Sequence, residues 1–75
     1  MERINAGYTI IDAVRIDDTH EIVIGRHSSA PSPYVCWYCS NGDDYHTGRY
    51  CPTFKQALLV LADRIRSAAG CLPPI

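Results

Sequence analysis

The sequence predicts an α+β fold: a four-stranded antiparallel meander, made of two β-hairpins, followed by one C-terminal α-helix packed on one face of the sheet. Two observations predict it. Most of the chain consists of short runs rich in β-branched and aromatic residues, separated by turn-forming residues. The last third instead has apolar residues at helical spacing, between an N-terminal cap and a glycine. Strands followed by a helix are typical of the α+β class.

The first hairpin is predicted from two similar runs. Residues 8–16 (YTIIDAVRI) and 20–27 (HEIVIGRH) are both rich in β-branched side chains, which favour strands. Asp17, Asp18 and Thr19 stand between the runs, and residues of this kind favour turns. We therefore expect two antiparallel strands joined by a tight connection.

The second hairpin follows a proline-containing connection. Residues 28–33 include two prolines, which have no amide donor for a ladder, so we expect this segment on the surface. The third strand is predicted over 34–39 and the fourth over 45–51. Asn41 and Gly42 form a strong turn signal between these strands.

The helix has the clearest boundaries. Thr53 is a good N-cap, and Gln56 stands three positions later, the spacing of a capping box. Gly70 suits the left-handed position after the last turn, so a helix is predicted over 54–69. The stripe expected to face the sheet recurs at alternating four and three spacing: Phe54, Leu58, Leu61, Ile65 and Ala68.

Both faces of the third strand are predicted to be apolar. Alternation places Val35, Trp37 and Cys39 on one face, and Tyr34, Cys36 and Tyr38 on the other. One helix covers one face only, so we expect the second face to stay uncovered. Leu59 and Val60 point away from the helical stripe and are expected to be exposed as well.

Length, composition and charge narrow the class of protein. A chain of 75 residues, 47% of them apolar, has room for a single small domain spanning 1–75. Its formal net charge of −1 offers no bulk attraction to nucleic acid or to an anionic membrane. No apolar run is long enough to span a membrane, and the N-terminus does not resemble a secretory signal, so we expect a cytoplasmic protein.

Uncovered apolar groups favour a protein-interaction role. A contiguous exposed apolar patch more often marks an interface than an accident. We therefore expect a non-catalytic module that binds a protein partner or forms a homodimer. The residues expected to make the contacts are Tyr34, Trp37, Tyr38, Tyr45, Arg49, Leu59 and Val60.

No catalytic residues are predicted. The chain has no glycine-rich phosphate loop, no nucleophile elbow and no paired-histidine metal helix. His46 lies near Asp43 and Asp44 in the chain, but nothing in the sequence orders these residues with Cys51 into a catalytic group. We expect that the protein is not an enzyme.

The first alternative is a module that binds single-stranded nucleic acid. Aromatic side chains that stack on bases, interleaved with arginines that pair with phosphates, are typical of such surfaces. The residues expected to serve are Arg26, Trp37, Tyr38 and Arg49. Core and cross-strand aromatic packing explains the same residues and is favoured.

The second alternative is a small domain stabilised by zinc. Cys36 and Cys39 have the two-residue spacing of a zinc or redox pair, and Cys51 and Cys71 complete a candidate set of four ligands. Further ligands could come from the histidines: His20, His27 and His46. However, a strand sends residues three positions apart to opposite faces, and a redox pair normally begins a helix. We therefore favour cysteines that pack as small apolar residues, with no cofactor.

The stretch Ala30 to Tyr50, APSPYVCWYCSNGDDYHTGRY, resembles a pattern found in short uncharacterised proteins of conjugative and other mobile elements of Gram-positive anaerobes. The similarity extends from Gly7 through the helix. The pattern does not require cysteine at Cys36 or Cys51, which argues further against zinc. The resemblance implies an accessory role on a mobile element and carries no assigned activity. The matching residues are Pro33, Tyr34, Val35, Trp37, Cys39, Asn41, Gly42, Asp43, Tyr45, Gly48 and Tyr50.

The predicted topology also resembles that of PC4-like single-stranded-DNA-binding domains. These domains place a helix after a four-stranded antiparallel sheet and dimerise. The resemblance implies nucleic-acid binding by a dimer. This chain departs from it because those domains use a basic sheet face, whereas this sequence is slightly acidic.

Overall fold

A computed structural model describes residues 3–70 as an antiparallel sheet of five strands followed by one helix. Each strand pairs with its neighbours in the chain, so the sheet is a meander with β5 at one edge. The predicted α+β class, with an antiparallel sheet and a C-terminal helix, is confirmed. The elements are β1 (Ile4–Asn5), β2 (Tyr8–Arg15), β3 (His20–Arg26), β4 (Tyr34–Ser40), β5 (Asp44–Cys51) and α1 (Phe54–Gly70).

The strand missing from the prediction is β1. It has only two residues, and Ala6 and Gly7, both with positive φ, turn the chain back so that Ile4 lies opposite Thr9. The amide of Ile10 donates to the carbonyl of Arg3 at 2.8 Å, which extends the pairing by one step. A two-residue strand carries no alternation, so the sequence pattern could not reveal it.

The two hairpin turns form as the turn residues indicate. Asn41 and Gly42 have φ values of 55° and 80°, the left-handed pair that a tight hairpin turn requires. In the other turn, the Asp17 carboxylate accepts bonds from the backbone amides of Thr19 and His20, each at 2.9 Å. Hydrogen bonds in this turn lower the pKa of Asp17 from 3.8 to about 2. The hydrogen bond from the Thr19 backbone amide has the largest effect, and the hydrogen bond with the His20 side chain has the next largest.

One core lies between the sheet and α1. Its fully or nearly fully buried members are Ile22, Ile24, Cys36, Cys51, Ala57 and Leu61. The helix is rotated from the predicted orientation: Leu58 is 40% exposed, whereas Val60 packs partly against this core. The prediction that Val60 points away is therefore wrong. Small Ala57 lies fully buried against the sheet, so the face centres on Ala57 and Leu61 and brings Val60 inward.

A second core fills the face that lacks a helix. Its buried members are Tyr8, Val23, Val35, Trp37 and Cys39. The sequence predicted that this face would stay uncovered, and that prediction is wrong. The alternation along β4 is as expected, because Val35, Trp37 and Cys39 belong to this core while Cys36 belongs to the core beneath α1.

The sheet covers this second core by curling over it. Regular strands three steps apart, such as β2 and β5, lie about 14 Å apart in a flat sheet. Here the rings of Tyr8 on β2 and Tyr50 on β5 are 5.8 Å apart, both edge-on to each other and to Trp37. Arg3, just before β1, donates to the Tyr45 hydroxyl on β5 at 3.0 Å, which joins the two ends of the sheet.

Two irregularities in strand pairing accompany the curl. The register of β2 against β3 shifts between Ile10 and Asp12, and that of β4 against β5 shifts between Cys36 and Tyr38. In β5 the extra residue falls at Thr47–Gly48, where Thr47 has a φ of 55°. Such bulges bend a strand and increase its twist, so they account for the curl.

The length and composition of α1 bear on whether it could cross a membrane. Across residues 3–70, no helical segment has the combination of length and apolar character that crossing a membrane requires.

Gly48 is required by the packing of Trp37. A Cβ at this position would lie 2.7 Å from Trp37 Nε1, too close without a shift of the indole. We expect Gly48→Ala to lower the free energy of unfolding by about 1–3 kcal/mol, the usual range for overpacking a core. Urea unfolding followed by tryptophan fluorescence measures this change.

Gly70→Ala is the matched control, because a Cβ there meets nothing within 4 Å. It should leave the midpoint of unfolding unchanged or slightly raised, since alanine favours a helix over glycine. Equal midpoints for Gly48→Ala and the wild type would contradict the role assigned to Gly48.

Candidate functional site

The candidate interaction surface follows the free edge of the sheet. A shallow groove runs between β5 and the adjacent side of α1. We call this depression the β5–α1 groove. Its lining residues are Arg49, Tyr50, Cys51, Gln56, Leu59 and Val60.

The bulge in β5 decides which side chains reach this groove. Beyond Thr47, Arg49 lies opposite Cys36 and therefore on the helix side of the sheet. Tyr50 lies opposite Val35, on the side of the second core. It packs against Trp37 and Tyr8 but remains 52% exposed, because no strand lies beyond β5 in the described sheet.

The helix supplies the other wall of the groove. Leu59 is 63% exposed, as predicted, and is the most exposed large apolar side chain of α1. Val60 contributes from its partly buried position beside the helix-side core. Three of the predicted contact residues, Arg49, Leu59 and Val60, therefore lie together in one groove.

The other four predicted contact residues lie elsewhere. Tyr34 is half-buried on the helix side, where its ring is 5.5 Å from that of Phe54. Trp37 is only 4% exposed, in the second core, and Tyr45 packs partly on that core with its ring 5.6 Å from Trp37. Tyr38 lies partly buried on the helix side.

Sequence analysis missed Tyr50 and Gln56 as members of the groove. The available signal for Tyr50 was Gly48, because a glycine inside a strand pattern often marks a bulge. A bulge reverses which face each later residue occupies, and here it places Arg49 on the helix side and Tyr50 on the side of the second core. Gln56 was not among the predicted contact residues, although its helical position lies near Leu59 and Val60.

Tyr38 is held in a stack that ties α1 to β4. The guanidinium of Arg64 lies 4.6 Å from the centre of the Tyr38 ring, and the His46 ring stacks on Tyr38 at 6.0 Å. Arg64 Nη1 also donates to the carbonyl of Cys36 at 2.9 Å. The register of β4 against β5 begins to shift at Cys36. The carbonyl of Cys36 therefore accepts its hydrogen bond from a helix side chain at the point where the strand pairing is irregular.

The residues predicted for nucleic-acid binding do not form one surface. Arg26 lies opposite Tyr34, and Arg49 opposite Cys36, so both arginines are on the helix side with Tyr38. Trp37 is on the other side and is buried. Because a base must reach an exposed ring face to stack, Trp37 does not complete a stacking platform with these residues.

The cysteines are divided between the two cores. Cys36 and Cys51 lie in the helix-side core, and Cys39 lies in the second core, where Arg3 Nη2 is 3.8 Å from its sulfur. Burial raises the pKa of the Cys36 and Cys39 thiols. Cys71 lies outside the described residues. Within 3–70, no three Cys, His, Asp or Glu residues come together as a metal site.

The three histidines make local contacts. His20 lies 2.9 Å from the Asp17 carboxylate, which it helps to hold in the turn. His27 Nδ1 accepts a bond from the Ser29 amide, and its ring is 5.1 Å from that of Tyr8. His46 bonds with Ser40 and Thr47.

Comparison with known proteins gave no relative. No protein-family model matches the chain, and neither the curated proteins nor the solved structures contain a match.

The burial of the cysteines predicts slow thiol chemistry. With Cys71→Ser removing the thiol outside the described residues, Cys36, Cys39 and Cys51 should react slowly with a disulfide reagent at mildly alkaline pH. Burial hides these sulfurs, and the raised pKa of Cys36 and Cys39 lowers their thiolate fraction. Reaction in denaturant should be complete and fast. Fast labelling of the native variant would contradict this assignment.

Arg64 should contribute to stability through its two contacts. Arg64→Met keeps most of the apolar stem but removes the donor to the Cys36 carbonyl and the cation over Tyr38. We expect a loss of about 1–3 kcal/mol in the free energy of unfolding, because a partly buried carbonyl loses its charged partner. Chemical denaturation measures it.

The matched control is Arg66→Met, two positions along, on the exposed side of the helix. Its effect should be about 0.5 kcal/mol or less, as for most surface substitutions. Equal effects of the two substitutions would show that Arg64 does not tie α1 to β4.

Proposed function

We propose that this chain is a non-catalytic protein-interaction module whose contact surface is the β5–α1 groove. The observation that carries the proposal is the exposure of two large apolar side chains beside the free edge of β5: Leu59, 63% exposed on the helix side of the groove, and Tyr50, 52% exposed on the other side of the same edge. Arg49 accompanies them. Tyrosine and arginine are enriched at protein interfaces, where ring and guanidinium combine apolar contact with hydrogen bonding.

The open edge of β5 supports the same proposal. An edge strand presents unpaired amides and carbonyls to which another chain can add a strand. In this protein the exposed edge and the apolar groove are adjacent, because Arg49, Tyr50 and Cys51 belong to both. A partner that pairs with β5 would therefore also reach Leu59.

The state of the thiols supports a role without catalysis. Cys36, Cys39 and Cys51 are buried, and burial raises the pKa of the first two. Nucleophilic cysteines instead have depressed pKa values and some exposure. The histidines contact nearby turn, loop and strand residues, which favours a structural role for them.

We further propose that the module acts in the cytoplasm as an accessory protein of a mobile genetic element. The support is the resemblance of Ala30 to Tyr50 to short proteins of such elements. Cysteines kept as buried thiols suit a reducing compartment.

A photo-crosslinking amino acid at position 59 tests the interaction surface. In cells that express the protein, irradiation should join position 59 to one defined protein, because this side chain lines the proposed contact. Denaturing electrophoresis and mass spectrometry identify the adduct.

The control places the same amino acid at Asp18, which is exposed in the turn between β2 and β3, away from the groove. It should give no such adduct. The same adducts from both positions, none from position 59, or adducts with nucleic acid alone would contradict the proposed function.

A further inference from the structure

We propose that the partner of this surface is a second copy of the chain, joined through antiparallel pairing of β5 with β5, with Asp44 of each copy opposite Arg49 of the other. The inference rests on the proposed function and names its partner. A two-fold axis perpendicular to the sheet would pass beside His46 and Thr47. The result would be a continuous ten-stranded sheet with both helices on one face.

The bulge makes β5 charge-complementary to itself. Asp44 lies opposite Ser40, two residues along β4 from Tyr38, and so shares the helix face with Tyr38. Arg49 lies opposite Cys36, also on the helix face. In a regular strand, residues five positions apart point to opposite faces. The extra residue at Thr47–Gly48 brings both charges to the same face.

Two-fold pairing requires facing residues to lie on the same side of the combined sheet. The register that places Asp44 opposite Arg49 satisfies this requirement, because both are on the helix side. It also places Tyr45 opposite Gly48, both of which adjoin Trp37 in the second core. Symmetry then produces the same ion pair twice, once on each side of the axis.

Both charges are free to make this contact. Asp44 and Arg49 are exposed, and neither forms an ion pair with another residue of the described part of the chain. Asp44 is also the only carboxylate on β5. If Arg49 forms an ion pair with a carboxylate on the β5 strand of the second copy, only one pairing register is therefore possible.

The other edge of the sheet lacks this property. β1 covers the start of β2, and the charges beyond it are Asp12 and Arg15. Asp12 lies opposite Ile24 on the helix side, whereas Arg15 lies opposite Glu21, which pairs with Cys39 on the other side. No two-fold pairing of β2 with itself can place these charges together, because they face opposite ways.

The same register accounts for the groove. With Asp44 opposite Arg49, the turn at Asn41 and Gly42 of one copy reaches the β5–α1 groove of the other. Asp43 then faces Tyr50, whose hydroxyl can donate to that carboxylate. The turn would cover Leu59 from the side of β5, which joins the apolar contact to the ion pairs.

Charge reversal at these two positions tests the register. We expect the wild type to sediment as a dimer, and Asp44→Arg or Arg49→Asp alone to raise the dimer Kd by about tenfold or more, since two attractions become two repulsions. An equimolar mixture of the two single variants should form a one-to-one heterodimer, because each mixed contact pairs opposite charges. The double variant D44R/R49D should again form a homodimer.

Asp12→Arg on the other edge is the matched control and should leave the dimer Kd unchanged. Circular dichroism checks that each variant is folded, as expected for exposed positions. Sedimentation equilibrium up to millimolar concentration measures the association, and high salt should weaken it.

The outcomes separate this inference from the proposed function. If the wild type stays monomeric, the partner is not a second copy of the chain. An adduct between position 59 and a different protein would likewise overturn the second copy as the partner, but it would support the proposed interaction module. A dimer indifferent to both charge reversals overturns the register. Association restored in the mixture, with weakened association in each variant alone, supports the whole inference.

Discussion

Trp37 packs on the face of the sheet that has no helix, and most other features of the fold depend on how that indole is kept from water. Tyr8, Tyr45 and Tyr50 surround it, although they come from strands that a flat sheet would keep far apart. Bringing them together requires a curled sheet, and the curl requires bulges. Gly48 sits at one bulge because a side chain there would occupy the space of the indole.

Two cores on opposite faces explain how so short a chain buries its apolar residues. The helix closes one face, and the curl closes the other. There Arg3, just before β1, donates to Tyr45 on β5, which joins the two ends of the sheet, and also to Glu21 on the middle strand, β3. The cysteines serve both cores as small apolar groups. Arg64 compensates for the irregular pairing near Cys36 by donating to its carbonyl. No buried side-chain nitrogen or oxygen in residues 3–70 lacks a partner.

The bulge that accommodates Trp37 also shapes the candidate site. It shifts the register of β5 against β4 and brings Arg49 to the same side as Asp44. It also directs Tyr50 toward the second core, with about half of the side chain exposed. The helix then places Leu59 beside the same edge. Core packing and the charges at the sheet edge are thereby coupled, because one bulge in β5 makes room for Trp37 and also sets the face on which Arg49 lies.

By itself the sequence determined the four longer strands, both hairpin turns, the alternation along β4 and the N-terminal cap of the helix, because each depends on residues close together in the chain. The Thr53 side chain does cap the helix, accepting from the Gln56 amide at 3.2 Å. Four features depended on the tertiary structure: the curl, the short β1, the rotation of α1 that partly buries Val60 and exposes part of Leu58, and the grouping of Arg49 with Leu59. These depend on contacts between distant residues and on a bulge that reverses the faces of a strand, which local periodicity cannot register.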